Sequence, residues 1–197
     1  MPTLSPLLHA LADLTATEPR PEAQATAAAL RAAADTDLPP QPPSALSSGI
    51  LTTAALPGAL PAARLIYDAH RWLPWQDSPA ASLQPTALRA IKSIATLLGP
   101  DTPIPSGTLL FGLFYQEPGS YYPLHAHEAA ETYTLLSGSA HWQAGDQRLT
   151  LTAGAAIHHP PNLPHAMRAG PDGFLAMWRW SGDISFDSYR MLPDPEA

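Results

Sequence analysis

Cysteine is absent from all 197 residues, which removes disulfides, thiolate metal sites and cysteine nucleophiles together. Basic charge is scarce as well. Lys and Arg total 10 against 17 acidic residues, the only lysine is Lys92, and the formal net charge is −7 with a pI near 5.5. No basic run exists to track a phosphate backbone or an anionic bilayer, so neither nucleic acid nor membrane is expected as a partner. No apolar run approaches the roughly 18 residues of a spanning helix. The opening MPTLSPLLHALADL lacks the positive segment and long apolar stretch of a secretory leader, and a soluble cytoplasmic protein is the expectation. Neither G-x-G-x-x-G nor a Walker-type loop is present, so nucleotide binding has no support. Proline is what the chain has in excess, 24 in all, placed mostly in connections, as long ordered loops or a wrapped arm would require.

The first hundred residues read as helical and Ala-rich. Ser5 and Pro6 suit an N-cap followed by the first helical position, and Leu7, Leu8, Leu11 and Leu14 repeat at helical spacing. A second helix is expected from about Glu22 to Ala34, with Leu30 its one large apolar anchor; so weak a face needs a larger body to pack on. Pro39 to Pro43 ends it, and a loop runs to about Pro61. Tyr67, Trp72 and Trp75 form an aromatic cluster that suits packing of this arm on a sheet. Leu83, Leu88, Ile91, Ile94 and Leu98 keep a helical stripe, so the clearest helix is expected over Ser82–Leu98, stopped by Gly99-Pro100. After Asp101 the character changes. Thr108–Tyr115, Thr132–Ser137, Ala140–Gln143, Gln147–Leu151 and Phe174–Trp180 are short β-type runs separated by turn signals, the spacing of a small antiparallel barrel or jelly roll. The division expected is a helical, Pro-rich region over 1–100 packing on a barrel over 101–197.

One stretch within the barrel concentrates chemistry. Between Gly119 and Gly138, His125, His127 and Glu131 stand as H-x-H-x-x-x-E. Residues two apart on a strand share a face, so the two imidazoles can aim at one point, and a bend at Glu128-Ala129-Ala130 would bring Glu131 to it. The obvious fourth ligand is His165 in PPNLPHAM. Other histidines have weaker claims: His141 suits a strand surface, His158 and His159 suit backbone satisfaction more than support of a site, and His9 belongs to the first helix.

Gly119-x5-His125-x-His127-x3-Glu131-x6-Gly138 resembles the first cupin motif without departure. Gly145, Gly154, Pro161 and Pro164-His165-Ala166 resemble the second, with Ala153 where a proline is usual. The resemblance covers roughly residues 107–181. It implies a double-stranded β-helix holding one divalent first-row metal, and the mixed nitrogen and oxygen donors suit iron, manganese, nickel, cobalt or zinc alike. With Tyr122 and Tyr133 added, the string Y-x-x-H-x-H-x-x-x-E-x-Y is similar to the signature of cupin-type dimethylsulfoniopropionate (DMSP) lyases, which share this size and a helical N-terminal half.

That resemblance implies a carbon–sulfur lyase of the dimethylpropiothetin dethiomethylase type, which eliminates dimethyl sulfide from DMSP and leaves acrylate. In this reading the metal polarises the substrate carboxylate, and its charge favours the phenolate of a neighbouring tyrosine. Tyr122 is the expected base and Tyr133 the metal-proximal helper or outer ligand, with the two roles exchangeable. Tyr121, Trp178 and Trp180 are candidates for an aromatic wall around the sulfonium, Trp180 with the stronger claim to plain core. Other cupin chemistries stay open: a dioxygenase or isomerase, a lyase-like enzyme with another primary substrate, or a small-ligand binder without turnover. The Pro-rich arm can wrap its own barrel or a neighbour's, which leaves a homodimer open.

Overall fold

A computed structural model describes residues 4–196. Four helices come first: α1 (Ser5–Thr15), α2 (Pro21–Ala32), α3 (Ser47–Ala54) and α4 (Pro61–Ala69). Ten strands follow: β1 (Trp75–Gln76), β2 (Lys92–Gly99), β3 (Ile104–Pro105), β4 (Leu109–Gln116), β5 (Tyr121–Ala126), β6 (Ala130–Ala144), β7 (Gln147–Thr152), β8 (Ala156–His159), β9 (His165–Ser181) and β10 (Arg190–Met191). The expected architecture is present, a cupin-type double-stranded β-helix with a helical N-terminal half. Among the described residues, no helix is long and apolar enough to cross a membrane.

Strand β9 is the spine of the sheet. It pairs antiparallel with β4, β5 and β6, while β6 also pairs with β7 and β8. Two expected runs, Thr132–Ser137 and Ala140–Gln143, are one strand, β6, bent by a register shift at Gly138. Gly138 has φ 75°, and a Cβ there would collide with the Gly173 carbonyl. The Gly170–Gly173 signal likewise bends β9 instead of ending it.

The alternation of β4 explains why the sheet is covered on both sides. Leu110 and Phe114 enter the barrel interior with Leu135, Trp142 and Phe174. Phe111, Leu113 and Tyr115 point outward, onto Leu7, Leu11, Leu30, Ile50 and Ile66 of the four helices. Those helices therefore complete the core and are not an appendage. Trp72 and Trp75 join this packing, whereas Tyr67 is exposed beneath Arg64. Leu4, and not Ser5, occupies the N-cap position of α1, and α3 interrupts the expected loop before Pro61.

The helix expected over Ser82–Leu98 is absent. Two 3₁₀ turns, Ala81–Leu83 and Thr86–Ala90, lead into β2. A strand covered on both faces reads as a continuous apolar run, which periodicity alone cannot tell from a helix. Here Ile94 enters the barrel while Ala95, Leu97 and Leu98 meet the helices, and pairing with β4 from Lys92 to Leu98 decides the outcome. The sheet thus begins at Trp75, ahead of the boundary expected at residue 100.

Candidate metal centre

Three elements deliver the site. His127 lies just past the end of β5, Glu131 is the second residue of β6, and His165 is the first of β9. The bend between the His pair and Glu131 falls at residues 127–129, closed by the His127 Nδ1–H donating to the Ala129 carbonyl at 3.0 Å. Antiparallel pairing then sets Glu131 opposite His159 and Trp180, and His125 opposite His165. One ligand atom from each of His127, Glu131 and His165 lies within 4.8 Å of the others, and all three residues are buried.

The hydrogen bonds around these residues show what they can hold. His127 and His165 each spend Nδ1–H on a backbone carbonyl, Ala129 and Leu163 respectively, which leaves the Nε2 lone pair of the neutral ring free. Both Nε2 atoms are buried without a hydrogen-bond partner. They face Glu131 Oε2 at 3.4 and 3.2 Å. Two lone pairs and an anionic oxygen pointing at one another inside a barrel repel unless a cation stands between them. The donor set therefore fits a divalent metal of borderline character.

Glu131 is held for that purpose from behind. Trp180 Nε1–H donates to Oε1 at 2.6 Å. Trp142 Nε1–H donates to His159 Nε2 at 3.0 Å, so the proton of His159 sits on Nδ1 and is donated to Oε2 at 3.2 Å. Burial, and then His165, hold the His159 pKa down to about 4, so its ring is neutral at neutral pH. Burial alone would raise the Glu131 carboxyl, but the imidazoles gathered against it, with His159 as donor, hold it well below the usual carboxylate range.

His125 stands beside this cluster and not in it. Its Nδ1–H goes to the Pro123 carbonyl at 2.8 Å, its ring stacks on Tyr122 at 4.2 Å, and it meets the His165 ring edge at 4.1 Å. Burial and His165 push its pKa well below the ordinary value.

Tyr122 and Tyr133 both face the same small cavity, about 30 Å³, as do His127, Glu131, Trp178 and Tyr189. A register shift between Tyr122 and His125 is what lets residues three apart on β5 point to one side. Burial raises both tyrosine hydroxyls well above the ordinary value; Tyr189 and Tyr133 add to the effect at Tyr122, and the Glu131 charge at Tyr133. A roomier groove, about 260 Å³, lies between the α1–α2 connection and the barrel, lined by Glu18, Thr132, His158 and Arg179. It carries none of the ligand set, so the donors and not the volume locate the site.

Tyr121 departs from its expected place. Alternation on β5 turns it outward as Tyr122 turns in, and its hydroxyl donates to Asp194 at 2.7 Å beneath Arg168. Trp178 does line the cavity, its Nε1 buried and unpartnered. Trp180 is core, as expected, yet it also grips Glu131. His159, ranked low from sequence, touches Glu131 directly. Tyr189 and Gln84 carried no signal: Tyr189 arrives on the C-terminal segment that pairs with β5 through β10, and Gln84 sits in a turn between two 3₁₀ pieces. The Tyr122 hydroxyl is 2.8 Å from that of Tyr189 and 2.7 Å from Gln84 Nε2.

A sequence profile of the dimethylsulfoniopropionate lyase family matches residues 50–176. A curated relative, the dimethylsulfoniopropionate lyase DddQ of Ruegeria pomeroyi, is 34% identical over 101 residues, 51% of this chain and 50% of that protein. The chain thus spans about half the length of that relative. A crystal structure from work on the DMSP lyases RdDddP and RnDddQII superimposes with a TM-score of 0.71 at 25% identity, covering 96% of this chain and 97% of that one. The structure of the DMSP lyase DddQ from Ruegeria pomeroyi gives 0.66 at 26% identity, with 92% of each chain covered.

Proposed function

We propose that this chain, which belongs to the dimethylsulfoniopropionate lyase family, cleaves dimethylsulfoniopropionate by β-elimination, with Tyr122 as base beside a metal held by His127, Glu131 and His165. The observation that carries the reading is the shared cavity: Tyr122, His127 and Glu131 line one space walled by aromatic rings, and the His165 Nε2 lies behind it, 3.2 Å from the Glu131 carboxylate.

A divalent transition metal bound there supplies positive charge that polarises the substrate carboxylate and offsets the burial holding the neighbouring phenol protonated. The protein's own residues do the rest. Tyr122 Oη accepts the proton from the substrate α-carbon. The electron pair of that C–H bond becomes the α,β double bond, and the β-carbon–sulfur pair leaves with sulfur, giving acrylate and dimethyl sulfide. Trp178, Trp180 and Tyr189 line the cavity, and aromatic rings there would attract the sulfonium by ~0.5–2 kcal/mol or more in a dry site. Tyr133, on the face of β6 that carries Glu131, is the helper of the set. His125, stacked on Tyr122, serves either as an additional ligand or as a support for the base.

The test is headspace gas chromatography of metal-loaded protein given dimethylsulfoniopropionate. Dimethyl sulfide release is expected from the wild type. Tyr122→Phe should bind metal as before and lose ~100-fold or more in kcat, the scale of a general-base contribution. Near-full activity in that variant would remove Tyr122 from the role.

A further inference from the structure

The barrel holds a buried polar group that no step above uses. Lys92 opens β2 and is 2% exposed. Its Nζ donates to Gln84 Oε1 at 2.9 Å and stands 4.7 Å from the centroid of the Tyr122 ring. An ammonium has donors only and an amide one acceptor oxygen, so Lys92 fixes which way the Gln84 amide lies. With its oxygen taken, Gln84 turns its NH₂ the other way and donates to Tyr122 Oη at 2.7 Å and Tyr189 Oη at 2.8 Å.

The remaining protons follow. The two tyrosine oxygens are 2.8 Å apart, and one proton lies between them. The other acceptor near Tyr189 is the Met191 sulfur at 3.2 Å, a weaker acceptor than a phenol oxygen. A neutral Tyr122 donates its own proton to Tyr189, which passes its own to that sulfur; once Tyr122 has given up its proton to act as base, Tyr189 turns back and donates to Tyr122. The Tyr122 oxygen then receives two donors, one from Gln84 and one from Tyr189, while the rings of Phe114 at 6.3 Å and His125 at 4.2 Å lie nearly parallel to its own. The stacking sets the plane of the ring, and the two donors set the oxygen within it.

We propose that Gln84 and Lys92 are positioning residues for the elimination: Lys92 orients Gln84, and Gln84 with Tyr189 presents the Tyr122 oxygen to the substrate as an acceptor. The inference rests on the reading of Tyr122 as the base, and two independent readouts separate the one from the other.

The first readout is kinetic. Gln84→Glu keeps the shape of the side chain and its contact with Lys92, but places acceptors where the amide placed donors. Its kcat should fall ~10–100-fold, the scale of a lost hydrogen bond to a group carrying charge in the transition state, with KM within about threefold. A purely structural role for Gln84 would leave this near-isosteric variant close to wild type. Added to Tyr122→Phe, it should cost little more, because residues acting as one unit are not additive. Lys92→Met should lower kcat in the same direction, and Lys92→Arg, which keeps a cationic donor, should recover most of the loss.

The second readout needs no substrate. In protein carrying ¹³Cζ-tyrosine, with resonances assigned by Tyr→Phe variants, Gln84→Leu and Gln84→Glu should move the signals of Tyr122 and Tyr189 and leave the other four of the six tyrosines in place. Wild-type kcat in Gln84→Glu, or unmoved Tyr122 and Tyr189 signals, overturns the positioning role. If both signals move while Tyr122→Phe stays fully active, the base assignment is what fails, and the catalytic part of this inference fails with it.

Discussion

Trp180→Phe isolates the grip on Glu131. The substitution keeps an aromatic ring in the barrel but deletes the Nε1–H that donates to Glu131 Oε1 at 2.6 Å. A hydrogen bond to a charged group contributes about 1.5–3 kcal/mol. At about 1.4 kcal/mol per tenfold, the metal dissociation constant should rise ~10–100-fold, which agrees with the usual cost of removing an outer partner of a metal ligand. The smaller ring also leaves a void around a residue that is only 4% exposed, costing about 1–2 kcal/mol and lowering Tm by roughly 2–8 °C for a chain of this size. Trp178→Phe supplies the control. It removes the same atoms from the same barrel, but its Nε1 has no partner. It should lose comparable stability and leave metal affinity unchanged. The assay is competition of metal-loaded protein with a chromophoric chelator of known affinity, alongside thermal unfolding of the metal-free forms. Equal metal affinities in the two variants would refute the claim that the indole N–H orients the carboxylate.

Two further outcomes follow from contacts described above. His165→Ala removes one of the two buried, unpartnered Nε2 atoms and should reduce bound metal to a small fraction of wild type by elemental analysis; unchanged stoichiometry would exclude His165 from the ligand set. Glu18, in the α1–α2 connection, pairs at 2.8 Å with buried Arg179. Burial would raise its carboxyl, but Arg179 holds it below the ordinary 4.5. A depressed carboxylate stabilises the fold fully above its unfolded value and loses that contribution as pH falls through the folded one. Glu18→Gln should therefore be less stable than wild type at pH 7, by about 1–2 kcal/mol for a pair between exposed and fully buried. In urea unfolding the gap should narrow below pH 4.5 and close at lower pH; a gap independent of pH would remove the ion pair as its cause.

How much of this was legible in the sequence depended on range. The H-x-H-x-x-x-E spacing fixed His127 and Glu131 because both lie within one short turn, where geometry is local. Tyr133 was legible for the same reason, two residues from Glu131 on one strand face. Tyr122 and His125 share a face only because of a register shift that spacing does not reveal. Lys92–Gly99 was misread because burial on both faces erases the alternation that marks a strand. Gln84, His159, Trp142 and Tyr189 reach the site through strand pairings and connections far apart in the chain, and nothing near them in sequence marks them as partners of Glu131 or Tyr122.

The spine strand has a consequence for the order of assembly. His127 and Glu131 are four residues apart, but His165 joins them only when β9 has docked across β5 and β6, after a loop of more than thirty residues has closed. Such long-range closure is slow compared with local turns. Two of the three donors are thus in place early and the third arrives late, so full-strength metal capture reports that the barrel has shut. A metal that bound the finished barrel better than the open chain would draw the folding equilibrium toward the closed form and so act as a latch on the topology.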